Sequence, residues 1–451
     1  MRIIRICITI DTYLYLMDFS MLSTQSYLTI IIASSLLLTS TAHAITADEL
    51  AVQFEAYKKQ QAIALEKISR ENSSLKQQNK TLKTKLESTQ KQVKNNTVAV
   101  ETVSDNVTVS SQVSGFFNNT TIGGYGELHY TNRSRENGRH QEQVNFHRFV
   151  LFFGHEFSDN LQFFSELELE NSIAGDGQSG EIELEQAYLE YYFNDNFSAK
   201  AGLFLMPIGT INETHEPYTF YGVERNEVEK YIIPTTWWEA GIGARYKFDN
   251  GLSVDAAVMT GLEMGNDYSV RSGRGKVSKQ QANEPIIVAR VKYTGVPGLE
   301  VAATVLHQTD MGQGDNPSAD KVDVGSGTLV ETHAIYSHSV GPGVFTAKAL
   351  YSRWQITING DANQAAETQY GWYLEPSYRL PTNYGDVGIY GRFQKLDYYS
   401  GRDKNYNIWE VGANWWIHEN VVLKVNYIYK QDTLTENSDE RGFDLGIGYS
   451  F

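Results

Sequence analysis

The chain has 451 residues and a formal net charge of −16, from 38 Lys+Arg against 54 Asp+Glu. This acidic balance excludes a protein that binds nucleic acid non-specifically, because such binding needs a basic surface. The 28 Tyr, 20 Phe and 37 Gly, with only 9 Pro, favour a β-rich protein.

Residues 1–44 have the pattern of a secretory signal peptide. A short apolar run at 29–38 precedes Ala42-His43-Ala44, a small-x-small cleavage pattern, and is shorter than the ~20 apolar residues of a transmembrane helix. Three methionines remain open as the start: Met1, Met17 and Met21. Cleavage removes Cys7, the only cysteine, so we expect an exported chain without disulfides, cysteine-based metal sites or cofactors.

Residues 45–105 predict an α-helical coiled coil on the periplasmic side. The segment contains no Gly or Pro, and its apolar and Asn residues recur at alternating spacings of three and four, which is a heptad seam. The a positions are Leu65, Asn72, Asn79, Leu86 and Val93, and the d positions are Ile68, Leu75 and Leu82. A lone solvated helix is the alternative, and the number of helices in the coil stays open. Residues 106–119 are expected to be a linker.

From residue 120 to 451 the hydrophobic period changes to two, which predicts strands. Short turn-forming connections alternate with long polar ones. The short ones lie at 158–160, 194–196, 249–251, 296–298, 341–343, 381–386 and 418–420. The long ones lie at 133–143, 173–180, 208–236, 265–284, 310–328, 357–369, 398–404 and 432–440. This alternation predicts an all-β protein, a 16-stranded antiparallel transmembrane β-barrel preceded by the coiled coil.

The faces of individual strands agree with a barrel in lipid. In 161–170 Leu161, Phe163, Leu167 and Leu169 are expected to face lipid, and Glu166, Glu168 and Glu170 the lumen. In 442–451 the odd-numbered residues are expected to face lipid and Asp444 the lumen. Because unpaired strand edges cannot be solvated in hydrocarbon, this last strand should pair with the first near Thr120. Its terminal Phe451 also resembles the signal that barrel-assembly machinery recognises.

The longest connection, 208–236, is expected to fold into the pore, because its aromatic and Ile residues need a surface to pack on. The loop residues expected at the constriction are Glu213, His215, Glu216, Tyr218, Tyr221, Glu224, Arg225, Glu227 and Lys230. The side chains expected on the pore wall are Arg148, Glu166, Glu168, Glu170, Glu183, Glu185, Arg245, Arg290, Lys292, Arg379, Arg392 and Lys424. Acidic early strands facing basic later strands would create a transverse field that orients solutes, although ordinary lumen polarity is the alternative.

No catalytic motif stands out. His155-Glu156 and His215-Glu216 lack the second histidine of a HExxH zinc helix, and no nucleophile elbow, phosphate loop or EF-hand loop occurs. We therefore expect neither an enzyme nor a metal site.

Three stretches resemble the phosphate-selective porin O/P family. They are GGYGELHY at 123–130, HRFVLFFGHEFSDNLQFFSELELE at 147–170 and NETHEPYTFYGVERNEVEKYIIPTTWWE at 212–239. The resemblance implies a trimeric, sixteen-stranded channel whose third extracellular loop folds into the pore. Phosphate selectivity in the family depends on an arginine ladder and a lysine cluster, and here only scattered arginines, Arg148, Arg225, Arg290 and Arg392 among them, are candidates.

Together these features predict a porin of the bacterial outer membrane that passes small hydrophilic solutes and ions passively. A phosphate- or anion-selective channel is one alternative, and an envelope tether whose barrel is only an anchor is a second. The expected partners are outer-membrane lipid, two further copies of the chain in a homotrimer, barrel-assembly machinery and, through the coiled coil, the cell wall.

Overall fold

The computed structural model describes residues 119–314, 324–359 and 364–451, together with Glu55, Lys58 and Lys59. The signal peptide, most of the linker and nearly all of the coiled coil lie outside these residues, so they stay predictions. Glu55, Lys58 and Lys59 are helical, and Lys58 Nζ lies 2.8 Å from Glu55 Oε1. Within the described part of the chain, no helix has the length and apolar character to cross a membrane.

Sixteen antiparallel strands close into one barrel, in which each strand pairs with its neighbours in sequence and β1 pairs with β16. The predicted sixteen-stranded antiparallel barrel is therefore confirmed. The strands are β1 (Thr120–Arg135), β2 (His140–Ser158), β3 (Leu161–Glu170), β4 (Ile182–Tyr192), β5 (Phe197–Leu205), β6 (Trp238–Lys247), β7 (Leu252–Met259), β8 (Ile286–Tyr293), β9 (Leu299–Gln308), β10 (Val324–Val340), β11 (Gly343–Ile358), β12 (Thr368–Thr382), β13 (Gly385–Tyr399), β14 (Asp403–His418), β15 (Val421–Asp432) and β16 (Glu440–Ser450).

The barrel closes where the sequence predicts. Tyr125 on β1 pairs with Ser450 on β16, and beyond this pair Gly124 and Phe451 exchange two backbone hydrogen bonds of 3.0 Å each. Closure satisfies backbone groups that a lipid-exposed edge would leave unpaired.

The two faces of the strands also follow the predicted alternation. Phe443, Leu445 and Ile447 point outward and are 40%, 44% and 44% exposed, whereas Asp444 between them is 0% exposed on the lumen side. On β3 the same alternation turns Leu167 outward and Glu166 inward. Both predictions of facing are confirmed.

Several strands are longer than the sequence suggests. β1 has 16 residues and β2 has 19, beyond the ~9–11 that cross a bilayer, and the loop predicted at 133–143 shrinks to 136–139. Above the bilayer both faces of a strand meet water, so the hydrophobic alternation is lost while backbone pairing continues. Arg133, for example, still pairs with Gly442 of β16.

Two long loops matter for the lumen. We call residues 206–237, between β5 and β6, L3, and residues 260–285, between β7 and β8, L4. L3 contains a one-turn helix, α1 (Glu227–Tyr231). Asn226 caps its N-terminus: the Asn226 side chain accepts a hydrogen bond from the backbone N–H of Glu229 over 2.8 Å. A short 3-10 helix, Gln364–Glu367, lies between β11 and β12.

Candidate functional site

L3 lies inside the barrel and packs against its inner wall. Val228, Ile232 and Ile233 are completely buried and join a cluster that includes Trp354 of β11 and Tyr373 of β12. Apolar contacts of this kind hold a loop in the lumen because its surface leaves water. The loop therefore crosses the lumen rather than projecting into solvent.

Wall side chains also donate hydrogen bonds to backbone carbonyls of L3. Trp354 Nε1 donates to Ile232 O over 2.9 Å, and Asn414 Nδ2 donates to Phe220 O over 3.1 Å. Lys424 Nζ donates to Gly222 O over 2.8 Å. These donors satisfy loop carbonyls that belong to no helix or sheet, so β11, β14 and β15 fix the path of the loop.

Inside L3, Glu229 ties the start of the loop to α1. Its carboxylate accepts hydrogen bonds from the backbone N–H groups of Thr210 and Ile211, over 2.8 and 2.9 Å, and from Tyr373 Oη over 2.8 Å. A buried carboxylate with several donors is a satisfied structural group. Glu229 was not among the predicted site residues, and it has no role at the lumen surface.

One group of charges joins L3 to β6–β8. Glu213 forms ion pairs with Arg290 and, over 3.3 Å, with Arg245, while Asp255 contacts Arg245 over 2.5 Å and Arg290 over 2.9 Å. Burial alone would raise the pKa of Glu213, but the two guanidinium groups lower it to about 2. Arg245 and Arg290 face the lumen as the alternation predicts, yet carboxylates compensate both.

A second group lies under the middle of L3. Arg392 is 4% exposed and contacts Glu375 over 2.6 Å and Glu410 over 2.9 Å. Its remaining nitrogen donates to Tyr221 O of the loop over 2.6 Å. This predicted pore-wall arginine is therefore a compensated anchor for L3.

β1 and β2 supply a third group of charges. Arg148 Nε lies 2.5 Å from Glu127, and Arg148 Nη2 donates to His215 O over 2.8 Å. His129 lies between Glu127, at 3.1 Å, and Glu224 of L3, at 3.0 Å. The extra residue of a β-bulge in β2 is His147, whose ring stacks on that of His129.

Next to this group, His215 of L3 lies between two wall carboxylates. Its Nε2 is 3.3 Å from Glu166 Oε1 of β3 and 3.5 Å from Glu185 Oε2 of β4. Burial alone would lower the pKa of His215, but the two carboxylates raise it well above its ordinary value.

A cavity of about 160 Å³ remains between L3, L4 and the wall of β1–β4. Its acidic lining residues are Glu127, Glu168, Glu170, Glu183, Glu185 and Glu224. Its basic lining residues are Arg148, Arg225, Lys230, Arg271, Arg274 and Lys276. Most of the acids come from the wall and most of the bases from the loops, so the cavity has an acidic and a basic side, which meet where Lys276 of L4 pairs with Glu183.

Two arginines of L4 complete the basic side and were not predicted. Arg271 donates to the carbonyls of Lys230 and Thr235 over 2.9 and 2.7 Å, and Arg274 donates to that of Pro234 over 2.8 Å. Within the described ranges neither forms an ion pair with a carboxylate, so both keep their positive charge at the cavity. Strand periodicity carries no information about where a loop side chain points, and no sequence signal identified them.

The predicted site residues thus fall into three sets. Those at the cavity are Arg148, Glu168, Glu170, Glu183, Glu185, Glu224, Arg225 and Lys230. Those in other contacts between L3 and the wall are Glu166, Glu213, His215, Tyr218, Tyr221, Glu227, Arg245, Arg290, Arg392 and Lys424. The remaining three differ: Glu216 is a buried L3 residue, Lys292 is half-buried on β8, and Arg379 lies over the Trp416 ring and pairs with Asp386. On the later strands Arg245, Arg290, Arg392 and Lys424 contact L3, and five of the six bases at the cavity come from L3 and L4.

Solved barrels share this architecture. An anion-selective porin from Comamonas acidovorans matches with a TM-score of 0.50 at 11% identity, over 74% of this chain and 99% of that chain. OprB of Pseudomonas putida matches with a TM-score of 0.50 at 10% identity, over 74% and 94% of the two chains. Identities this low establish similarity of fold alone.

Comparison of sequences identifies the family as well as the fold. An uncharacterized protein of Aquifex aeolicus (strain VF5) is 27% identical over 335 residues, which are 68% of this chain and 75% of that protein. The family model for phosphate-selective porin O and P matches residues 123–446, nearly the whole barrel. The chain therefore belongs to the phosphate-selective porin O and P family.

Proposed function

We propose that this outer-membrane porin passes small hydrophilic solutes and ions by diffusion through the cavity between L3, L4 and the wall of β1–β4. The observation that carries the proposal is the division of charge there, with wall glutamates such as Glu168 and Glu183 on one side and Arg225, Arg271 and Arg274 on the other. Proteins of this family are channels rather than enzymes, so the chemistry is steric and electrostatic filtering.

The size of the cavity limits the solute. A cavity of about 160 Å³ holds several water molecules. Opposed charges across so narrow a passage create a transverse field, which orients a dipolar solute and offers each charged end a partner. Small dipolar molecules and hydrated ions fit this passage better than large apolar ones.

Conductance of the purified protein in a planar bilayer tests the proposal. We expect steady open channels whose reversal potential in a salt gradient shows weak ion preference, because both signs of charge line the cavity. The absence of any steady open channel would reject diffusion and favour an envelope tether with the barrel as anchor.

Selective passage of anions, phosphate included, is a second candidate function. Arg271 and Arg274 donate hydrogen bonds to carbonyl groups and form no ion pair with a described carboxylate, so their charge is available to an anion. Guanidinium groups bind phosphate oxygens in pairs, which suits this role. Strong anion preference together with block by inorganic phosphate would favour this candidate, and cation preference would reject it.

We also propose a homotrimer whose coiled coil holds the barrels in register. The heptad positions support this proposal, since Leu75, Leu82 and Leu86 would share one buried seam. Changing these three residues to Asp should lower the temperature at which the detergent-extracted oligomer dissociates. An unchanged dissociation temperature would reject the role of the coil in the trimer.

A further inference from the structure

The contact between L3 and strands β3 and β4 brings three metal-ligand atoms together. Glu166, Glu185 and His215 are 1%, 2% and 3% exposed, and one ligand atom from each lies within 4.8 Å of the other two. The residues come from separate segments of the chain: Glu166 from β3, Glu185 from β4 and His215 from L3. Burying two carboxylates beside each other is unfavourable unless a cation lies between them.

The distances suit a first-row transition metal ion. With metal–ligand bonds of about 2.0–2.2 Å, two ligands of a tetrahedral zinc ion lie about 3.3–3.6 Å apart. His215 Nε2 is 3.3 Å from Glu166 Oε1 and 3.5 Å from Glu185 Oε2. The ligand oxygens of the two carboxylates lie within 4.8 Å of each other, so both face the same small space beside the imidazole.

A β-bulge produces this arrangement. Glu166 pairs with Gln186 and Leu167 pairs with Leu184, so Glu185 is the extra residue of β4. As a result, Glu185 and Gln186 both turn into the lumen, where they are 2% and 6% exposed. Bulges re-aim side chains next to functional sites, and this one aims a second carboxylate at His215.

Neighbouring groups orient the ligands. His215 Nδ1 lies 3.2 Å from Asn212 O, and a carbonyl oxygen can only accept a hydrogen bond. In a neutral imidazole, Nδ1 therefore carries the proton. The lone pair is then on Nε2, which faces the carboxylates. Gln186 Nε2 donates to Glu166 Oε2 over 2.7 Å and leaves Oε1 directed at His215. Outer hydrogen bonds of this kind are typical of histidine and carboxylate ligands of metals.

An unsatisfied atom supplies independent evidence for a missing cation. Glu185 Oε2 is buried and accepts no hydrogen bond from any described residue, although it points at His215. Buried carboxylate oxygens normally have a donor or a metal ion as partner. Protonation of His215 balances one of the two carboxylate charges, whereas a divalent ion on the neutral ring balances both.

We propose that Glu166, Glu185 and His215 bind a divalent transition metal ion, with Zn²⁺ the best match, and that the ion fastens L3 to the β3–β4 wall. One nitrogen and two oxygen ligands are a donor set that zinc accepts, and three protein ligands leave a fourth position for water. A search for a HExxH pattern cannot identify this site, because the topology assembles ligands that are 19 and 30 positions apart in the sequence. This proposal does not depend on which solute the channel passes, because zinc content is measured without any transport assay.

The test is zinc binding by the full, untagged chain purified in detergent and stripped with a chelator. Equilibrium dialysis against ZnCl₂, followed by elemental analysis, should give one zinc ion per chain. His215→Ala should abolish this binding. Glu185→Gln keeps the shape of the side chain and should weaken zinc affinity by at least about tenfold, because even changes to outer-shell residues lower metal affinity about 10- to 100-fold. Zinc X-ray absorption should show an imidazole in the first shell and bonds of about 2.0–2.2 Å.

The control variant is His147→Ala, at the neighbouring cluster of His129, His147 and Glu224. It should keep full zinc binding, because both ring nitrogens of His129 are already within 3.1 Å of carboxylates and that cluster needs no further cation. Heat-modifiable migration in gels verifies that each variant forms a folded barrel. Zinc binding that survives His215→Ala, or a folded Glu185→Gln variant with unchanged affinity, overturns the proposal, as does a wild-type chain that binds no zinc.

Discussion

Pro217 of L3 packs directly on Gly448 of β16, so closely that a Cβ atom at Gly448 would lie 2.5 Å from the Pro217 Cβ. Gly446, two residues earlier, faces Val223 of L3 in the same way, at 3.1 Å. The small residues on the inner face of β16 thus make room for the loop. The path of L3 depends on them.

Replacing Gly448 by Ala should therefore loosen L3. A methyl group in this contact must displace a rigid proline ring, and overpacking of this kind costs about 1–3 kcal/mol. We expect a lower melting temperature and larger current fluctuations in single-channel recordings. Gly391→Ala is the matched control, because its Cβ would have no atom closer than 3.9 Å. Equal behaviour of the two variants would show that Gly448 is not a packing site for the loop.

Arg392 offers a second prediction about the attachment of L3. Arg392→Met should leave the buried Glu375 and Glu410 carboxylates without a counter-ion and Tyr221 O without its donor. Removing one partner of a buried ion pair costs about 3–5 kcal/mol, so thermal unfolding should shift down strongly. Arg379→Met is the control, since that side chain is 42% exposed and its loss should cost about 1 kcal/mol or less. Similar losses in both variants would contradict an anchoring role for Arg392.

The sequence predicts the barrel well because lipid imposes a simple rule on it. Each spanning strand must alternate apolar and polar faces, and Leu445 and Asp444 show that the alternation identifies the side of each residue. The chain must also close, and the Gly124–Phe451 pairing follows from that requirement. The ends of β1 and β2 could not be predicted, because the alternation of apolar and polar residues stops where both faces of the strands meet water.

The site follows only in part, because loops obey no such rule. Apolar residues such as Ile232 predict that L3 packs inside, but the partners of its carbonyls depend on the three-dimensional path. Periodicity does not identify Arg271 and Arg274, and the bulge in β4 turns Gln186 into the lumen beside Glu185, against simple alternation. What sequence reasoning missed are contacts between segments far apart in the chain.

Glu213 leads to a prediction about selectivity. Glu213→Gln removes one of the two carboxylates that pair with Arg290, so this part of the lumen becomes more positive by one charge. At about 8 Å in water one charge changes an ion's energy by roughly 0.5 kcal/mol, which is about a twofold shift in permeability ratio toward anions. The reversal potential in a salt gradient measures this shift.

The control for Glu213 is Glu136→Gln, which removes the same charge from the exposed loop between β1 and β2. Its reversal potential should equal that of the wild type, because exposed charges farther than a Debye length are screened. A shift as large as that of Glu213→Gln would mean that overall charge, rather than position in the lumen, sets the preference.

Removing the two L4 arginines should shift the permeability ratio in the opposite direction, toward cations. Arg271→Gln combined with Arg274→Gln removes two positive charges that no described carboxylate pairs with, while amide groups keep some donors for the L3 carbonyls. The acidic wall around Glu168 and Glu183 then dominates the cavity, so cations should gain and anions lose permeability, by about twofold for each charge removed. The reversal potential and the phosphate dependence of the current measure the change.

Arg139→Gln, in the exposed loop between β1 and β2, is the control and should leave both unchanged. Unaltered selectivity in the double variant would show that ions do not pass beside L4, and would move the conducting path away from the charge-divided cavity.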